Sequence, residues 1–207
     1  MIIVNIEQRS EAWHDVRCGR VTGTKFSELC AGENTDTYKK LVTNIACEII
    51  TGKAEDNYVN AVMEAGIEKE PLARMAYIEA TGIEIREVGF VIPDEDNKYH
   101  DWIGVSPDGI GLHEGGIEVK CPLMRTHLNY IKAGRLPAEY RHQVQGQLYV
   151  TGHKWWDFVS YAEGMKLFVI RVEPDLDLFQ VFEQRLDKLI IDVKAELDMY
   201  KRYDMND

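Results

Sequence analysis

Apolar residues spaced three and four positions apart predict helices along most of the chain. The predicted helices lie at 25–31, 36–52, 57–81, 126–133, 138–150 and about 175–200. Gly66 and Pro71 should bend the long 57–81 stretch or divide it into two abutting helices. The last helix has the clearest apolar stripe, formed by Leu178, Phe182, Leu186, Leu189, Val193 and Leu197. This stripe indicates a helix that packs in the core.

Runs of β-branched and aromatic residues predict strands between these helices. The predicted strands lie at 1–7, 83–92, 99–105 and 116–121, followed by an antiparallel pair at 155–162 and 166–172. The order of elements predicts an α/β fold with a mixed central β-sheet flanked by helices. We expect a single domain over 1–207, with a helical part to about 82, a sheet-bearing core over about 83–173 and a C-terminal helix.

Composition indicates a cytoplasmic globular protein. Of the 207 residues, 45% are hydrophobic and 29% charged, which is typical of a folded domain. Apolar runs all fall short of the roughly 18 residues that a membrane span needs, and the first residues lack the basic start of a signal peptide. The four cysteines are scattered, so we expect reduced thiols rather than a metal or iron–sulfur site. Cys121 is expected to pack at a strand end.

The most informative motif is Ser106-Pro107-Asp108, followed after nine residues by Glu118-Val119-Lys120. Four glycines in the interval predict a hairpin that returns Glu118 alongside Asp108. In the second strand, Glu118 and Lys120 would share one face while the apolar neighbours take the other. The motif therefore predicts two carboxylates and one ammonium group, backed by an apolar layer.

These groups are the ones that metal-dependent phosphodiester hydrolysis requires. Carboxylate oxygens bind Mg²⁺, and two such ions can stabilise the attacking and the leaving oxygen. A lysine can orient the attacking water and offset charge on the phosphate. Glu70 could add a third carboxylate, although Glu64 and Glu68 would serve equally by sequence alone. The alternative interpretation of the motif is a surface hairpin with a solvated Glu and Lys.

Charge distribution qualifies this hypothesis. The net charge of −11 counts against simple nucleic-acid binding. The segment 120–154, however, has six basic residues and one acidic residue, as expected of an acidic enzyme that grips DNA near its site. The alternative is a solvated helix face.

The segment 8–24 combines arginines, hydroxyl groups and a helix N-terminus, which are the components of a phosphate pocket or, alternatively, of an ordinary capped helix. Gln143, Gln145 and Gln147 alternate along a predicted helix, so at most two of them can reach a site.

Five motifs in order together resemble one family. They are Gln8-Arg9-Ser10-x-x-Trp13-x-x-x-Arg17-x-Gly19-x-x-Thr22, Gly66-x-x-x-Glu70, Ser106-Pro107-Asp108-Gly109, Glu118-x-Lys120-Cys121-Pro122 and Gln143-x-Gln145. The chain resembles the phage lambda exonuclease family, the YqaJ-type viral recombinases of the PD-(D/E)xK nuclease superfamily, over residues 8 to about 160. The resemblance implies a restriction-endonuclease-like nuclease domain.

The resemblance also implies roles for individual residues. Asp108, Glu118 and the Val119 carbonyl would bind metal, Lys120 would orient or activate water, and Glu70 would hold a second metal or its water. The cofactor would be two Mg²⁺ ions per site, with Mn²⁺ as a possible substitute. The residues that would bind the 5′-phosphate or the DNA are Arg17, Thr24, Ser106, Gln143, Tyr140 and Gln145. Threonine at position 24 retains the hydroxyl of the serine that is common in the family.

By the same resemblance, the chain would be a 5′→3′ exonuclease that digests one strand of linear duplex DNA and leaves a 3′ single-stranded tail. Its partners would be DNA ends with a 5′-phosphate, two further copies in a ring-shaped trimer, and a single-strand annealing protein. It would act in a bacterial host cell, encoded by a phage or prophage. The alternatives are another PD-(D/E)xK endonuclease or resolvase, a catalytically silent DNA-end-binding protein, and a metal-binding regulatory protein.

Overall fold

A mixed five-stranded β-sheet forms the middle of the structure, a computed structural model that describes residues 1–54, 66, 68–112 and 114–203. The strands, in chain order, are β1 (Ile2–Val4), β2 (Ile85–Arg86), β3 (Phe90–Ile92), β4 (Gly109–Gly111), β5 (Gly115–Lys120), β6 (Trp155–Ser160) and β7 (Phe168–Val172). The sheet order is β2-β4-β5-β6-β7, and β1 pairs separately with β3. Within the five-stranded sheet only β5 and β6 run parallel, so the predicted mixed sheet is confirmed.

Helices cover both faces of this sheet. In chain order they are α1 (Glu11–Arg17), α2 (Lys25–Leu29), α3 (Asp36–Thr51), α4 (Glu70–Thr81), α5 (Met124–Ala133), α6 (Arg141–Thr151) and α7 (Leu176–Tyr203), with a 3₁₀ turn at Ala138–Tyr140. α3, α4, α5 and α6 each end at a glycine that the sequence marks as a stop. No helix in the described ranges is long and apolar enough to cross a membrane.

Two apolar clusters hold the layers together. The larger one joins α2, α3, α6 and α7 to the sheet face that carries Trp156 and Phe158. The smaller one packs Ala73 and Tyr77 of α4 against Ile117 and Val119 on the opposite face. The C-terminal stripe is buried in the larger cluster, as predicted. Alternate residues of β5 thus face different helices, which places Glu118 on the side of α6.

Two predicted strands are wrong. The stretch 83–92 divides into β2 and β3, which belong to different sheets. A Cβ at Gly89 would lie 2.0 Å from the carbonyl oxygen of Ile6, so only glycine permits the close crossing at which the chain leaves one sheet for the other. In the stretch 99–105, residues 99–102 form turns, because the Oδ1 of Asn97 accepts the N–H of Tyr99 and the N–H of Trp102 donates to the Tyr99 carbonyl. After these turns, Ile103 and Val105 form isolated β-bridges to Val21 and Val91 instead of a regular strand.

Helix boundaries also differ in places. The predicted helix 138–150 begins as the 3₁₀ turn, and α6 starts only at Arg141. Of the predicted 57–81 helix, α4 confirms the part after Pro71, whereas 57–65 lies outside the described residues. The sequence analysis named no helix at α1, whose N-terminus is capped by Ser10. Cys18, Cys30, Cys47 and Cys121 are free cysteines in the structure.

Candidate active site

The β4–β5 hairpin brings the two predicted carboxylates together. Asp108 directly precedes β4, and the pairing of Gly109 with Ile117 sets it beside Glu118. The Oδ2 of Asp108 accepts a 2.6 Å hydrogen bond from the backbone N–H of Val119, so the opposite strand orients this carboxylate. A Cβ at Gly109 would lie 2.3 Å from the side chain of Ile85, which explains why glycine follows the aspartate.

Three side chains donate hydrogen bonds to Glu118, which is only 2% exposed. Lys120 Nζ and Gln143 Nε2 both donate to Oε1, the latter over 2.6 Å. Gln147 Nε2 donates to Oε2. Because Gln143 and Gln147 lie one turn apart on α6, one face of that helix holds the carboxylate. Local sequence left open which of the three glutamines reach the site, and the resemblance gave roles to Gln143 and Gln145 but not to Gln147. The spacing of four between Gln143 and Gln147 was the available signal.

Gln145, predicted to bind DNA, is not brought to the site. Its Nε2 donates to the carbonyl of Glu173 over 2.8 Å, and its Oε1 accepts the N–H of Asp175 over 2.9 Å. The side chain is buried on another face of α6 and fastens that helix to the connection before α7. Helical rotation by two residues separates it from the face that Gln143 and Gln147 share.

Lys120 lies between the carboxylates and an aromatic ring. Burial alone would lower the pKa of Lys120, but the charges of Glu118 and Asp108 outweigh burial, and the pKa lies above its ordinary value. Lys120 is therefore an ammonium group that donates hydrogen bonds. Its Nζ sits 5.1 Å from the ring centroid of Tyr140, which in turn stacks on Phe158. Tyr140 thus borders the site as a wall that contacts Lys120.

The donor set suits a hard divalent cation. Burial, followed by the charge of Glu118, raises the pKa of Asp108 well above its usual range, so the pair is short of positive charge. Among the described residues, no three His, Cys, Asp or Glu side chains form a complete metal cage. Mg²⁺ does not need one, since it commonly retains several waters and binds one or two protein carboxylates. Asp108 and Glu118 therefore fit Mg²⁺.

Glu70, the third predicted carboxylate of the site, is the first residue of α4. Its charge contributes to the raised pKa of Asp108, whereas Glu68 is exposed and Glu64 lies outside the described residues. Burial first, and then the charges of Glu70 and Asp108, raise the pKa of Cys121 to about 11. Cys121 is therefore a thiol at neutral pH, partly buried against the smaller apolar cluster, in keeping with the packing role expected for it.

Arg17 and Ser106 form a second polar cluster next to the carboxylates. Arg17 donates to the Oγ of Ser106 over 3.0 Å and to the hydroxyl of Thr22 over 3.3 Å. Trp13 also donates to Ser106, over 2.9 Å, and its ring lies 3.9 Å from the guanidinium carbon of Arg17. Burial lowers the pKa of Arg17 to about 10, partly offset by Glu48, so the group stays charged at neutral pH.

The start of α2 lies close in the chain to this cluster, because Thr22, which accepts a hydrogen bond from Arg17, precedes that helix. Thr24 is exposed, and its hydroxyl does not cap the helix. A Cβ on the adjacent Gly23 would lie 3.6 Å from Gln143 Nε2, so Gln143 stands between α2 and the carboxylate of Glu118. Beneath the loop, the buried Glu48 accepts hydrogen bonds from the Gly19 N–H and from a lysine of α2. Glu48 is thus a structural support that the sequence analysis did not identify.

The basic segment 120–154 is only partly available to a polyanion. Arg141 pairs with Asp175, and Lys154 pairs with Glu114. The cations Arg125, Lys132 and Arg135 on and after α5 are exposed. The exposed cations of the predicted basic segment therefore lie on α5 and just after it, and α5 is the helix that follows β5 in the chain.

Comparisons with known proteins identify the family and the fold. The chain is 33% identical to an alkaline exonuclease of Laribacter hongkongensis, covering 95% of this chain and 98% of that one with a TM-score of 0.83. The structure of that enzyme with dAMP gives 32% identity, the same coverage and a TM-score of 0.84. A phage-related exonuclease of Haemophilus somnus shares the fold, with 14% identity, a TM-score of 0.64 and coverage of 87% and 96%.

Curated protein sequences include no match to the chain. Residues 12–154, however, match the YqaJ-like viral recombinase domain, a range that contains all the site residues described above. The match extends over well over half of the chain, and the likeness to the Laribacter enzyme extends over nearly all of it. This chain belongs to the YqaJ-like viral recombinase domain family.

Proposed function

We propose that this DNA exonuclease depends on Mg²⁺ and digests linear duplex DNA 5′→3′, leaving a 3′ single-stranded tail for recombination. The observation that carries the proposal is the short connection between two clusters. Ser106, which Arg17 and Trp13 hold, stands two residues before Asp108 in one loop. A 5′-terminal phosphate bound at Arg17 would therefore place the first phosphodiester linkages beside the carboxylates.

Each residue of the site has a role in this proposal. Bound Mg²⁺ would supply Lewis-acid activation of water and neutralise charge on the phosphate. Asp108 and Glu118 would hold one ion together with the Val119 carbonyl, and Glu70 would hold the second ion or its water. Lys120, as an ammonium group, donates a hydrogen bond to the attacking water or to the phosphate oxygens. Gln143 and Gln147 keep the Glu118 carboxylate in one orientation.

Two observations favour an exonuclease over the alternatives. A silent end-binding protein does not need Asp108 held by the Val119 N–H beside a hydrogen-bonded pair of Lys120 and Glu118, as they are here. The Laribacter relative was solved with dAMP, a mononucleotide of the kind that an exonuclease releases. An endonuclease or resolvase with this fold would have no use for a terminal-phosphate cluster beside its carboxylates.

The family also supports proposals about assembly and location. We infer one nuclease domain over 1–207, a homotrimeric ring around DNA, and a single-strand annealing protein as partner. We place the protein in the cytoplasm of a bacterial host, encoded by a phage or prophage. Sedimentation of the purified protein at several concentrations tests the trimer, since a monomer throughout would contradict it.

The experiment that tests the function compares linear and closed circular duplex DNA. We expect Mg²⁺-dependent loss of linear DNA with a 5′-phosphate, with labelled mononucleotides released from the 5′ end and none early from the 3′ end. The Asp108→Ala variant should be inactive at an unchanged melting temperature. Cleavage of the circle would favour an endonuclease, and retention of DNA without cleavage would favour the silent protein.

A further inference from the structure

A polar cavity of about 330 Å³ opens beside Asp108, and Arg17 is not among the residues that line it. Its wall includes Arg9, Glu70, Arg74 and Glu87. This volume falls within the range of small-ligand sites, about 300–1,000 Å³. The cavity shares Asp108 with the carboxylate site, so a DNA strand bound there would continue into this space.

Arg9, which lines this cavity, has an unusual backbone conformation. The chain turns between Glu7 and Ser10, and Arg9 has a φ of +69°, a left-handed conformation that favours glycine. Gln8 Nε2 fixes the turn by donating to the carbonyls of Val88 over 2.9 Å and Pro107 over 3.0 Å. The turn is thereby fastened to the residue before Asp108. Arginine occupies a position that glycine would occupy without strain, which indicates that the side chain of Arg9 has a function.

The guanidinium of Arg9 has donors to spare. One of its terminal nitrogens lies 3.1 Å from Glu70, and its side chain is 47% exposed. A guanidinium carries five N–H donors, so most of them remain for a ligand. Arg74 differs, since it is 13% exposed and donates to both Glu87 and the Asp108 carbonyl. Arg9 is therefore the cation of this cavity that can bind a second anion.

We propose that Arg9 binds a backbone phosphate of the DNA strand in this cavity, as a second phosphate site beside Asp108 and separate from the Arg17 cluster. The inference rests on the proposed function and extends it. The two guanidinium groups would bind different phosphates of one strand, Arg17 the terminal 5′-phosphate and Arg9 an internal phosphate. The pairing with Glu70 holds Arg9 at the cavity until DNA arrives.

The salt dependence of DNA binding tests this site. Binding of a 5′-phosphorylated duplex is measured by anisotropy, with Ca²⁺ replacing Mg²⁺ and intact DNA verified on gels. We expect Arg9→Gln to weaken binding about 10- to 100-fold, as for loss of a charge-assisted hydrogen bond. The slope of log affinity against log salt should fall by about 0.7–0.9, one phosphate contact. Arg9→Lys, which retains the charge, should keep the slope.

Lys98→Gln is the matched control, because Lys98 is an exposed cation paired with an exposed carboxylate, Asp187 of α7. It removes the same unit charge and should leave the slope unchanged. Duplexes with one uncharged methylphosphonate linkage then locate the contact. A methylphosphonate at one internal position should weaken DNA binding by the wild type, but it should not weaken binding by the Arg9→Gln variant any further.

Three results would overturn the inference. The first is a wild-type slope in Arg9→Gln, and the second is equal methylphosphonate penalties in both proteins. The third is a loss of Mn²⁺ affinity in Arg9→Gln with an unchanged slope, since Arg9 would then serve only to hold Glu70. Binding is measured without cleavage, so a wild type that binds through Arg9 but never cuts would refute the proposed function alone.

Discussion

The substitution Gln147→Met removes one of the three donors to Glu118 and leaves a side chain of similar length. Gln147 is 1% exposed, its Nε2 donates to Glu118, and its Oε1 has no partner among the described residues. Methionine would lose the hydrogen bond to a charged group, about 1.5–3 kcal/mol, but would also remove an unpaired buried acceptor that costs about 1–3 kcal/mol. We therefore expect the free energy of unfolding to change by less than about 1 kcal/mol.

Activity should respond differently. Loss of a partner that orients a metal ligand typically costs about 10- to 100-fold in metal affinity or activity. We expect kcat on linear duplex DNA to fall by about that factor in Gln147→Met. Mn²⁺ affinity of the DNA-free protein, followed by electron paramagnetic resonance, should fall in parallel. The second measurement does not depend on turnover.

Gln145→Met is the matched control, the same change two residues away. Gln145 loses two hydrogen bonds to backbone groups, about 1 kcal/mol each, so stability should fall by about 2 kcal/mol and Tm by about 4–8 °C. The folded fraction should keep wild-type kcat. Full activity in Gln147→Met, or an equal loss of stability in both variants, would refute the assignment of Gln147 to the site.

Three further substitutions test other parts of the structure. Glu118→Gln should abolish cleavage with a near-native circular dichroism spectrum, and measurable turnover would contradict the metal-ligand role. Arg17→Ala should reduce the preference for 5′-phosphate over 5′-hydroxyl ends by about 10- to 100-fold in kcat/KM, whereas equal losses on both ends would indicate a structural role. Tyr77→Phe removes a buried 2.6 Å hydrogen bond to Asp157, so urea denaturation should show a loss of about 1.5–3 kcal/mol at unchanged kcat. Asp157 also accepts two hydrogen bonds from Arg171, and an unchanged midpoint would show that these alone satisfy the carboxylate.

The charge of the protein bears on how it would hold DNA. The chain carries a net charge of −11, and part of its basic segment is neutralised by ion pairs with Asp175 and Glu114. Under the proposed function, we therefore expect the exposed cations of this segment, such as Arg125, to bind the DNA phosphates. Because such contacts release counterions, we expect binding to weaken steeply with salt despite the acidic surface.

Local sequence determined the hairpin and the division of β5 between two faces. The interval between Asp108 and Glu118 forms the predicted hairpin, although its four glycines lie in β4 and β5 without a positive φ and instead leave room for neighbouring side chains such as Trp155 and Trp156. The alternation of Glu118 and Lys120 with apolar residues places them on one side. These features depend on neighbours within one hairpin, and so they could be predicted. The helix ends at glycines followed from local backbone conformation in the same way.

Only the tertiary structure decided which residues from distant segments meet at this hairpin. Local sequence left Glu64, Glu68 and Glu70 equivalent and did not choose among the three glutamines, and the resemblance named Glu70 but also Gln145 instead of Gln147. The packing of α4 brings Glu70 close to Asp108, and the rotation of α6 against the sheet turns Gln147 toward Glu118. The position of a helix on a sheet depends on the whole apolar face that it buries, and no local pattern of residues encodes it.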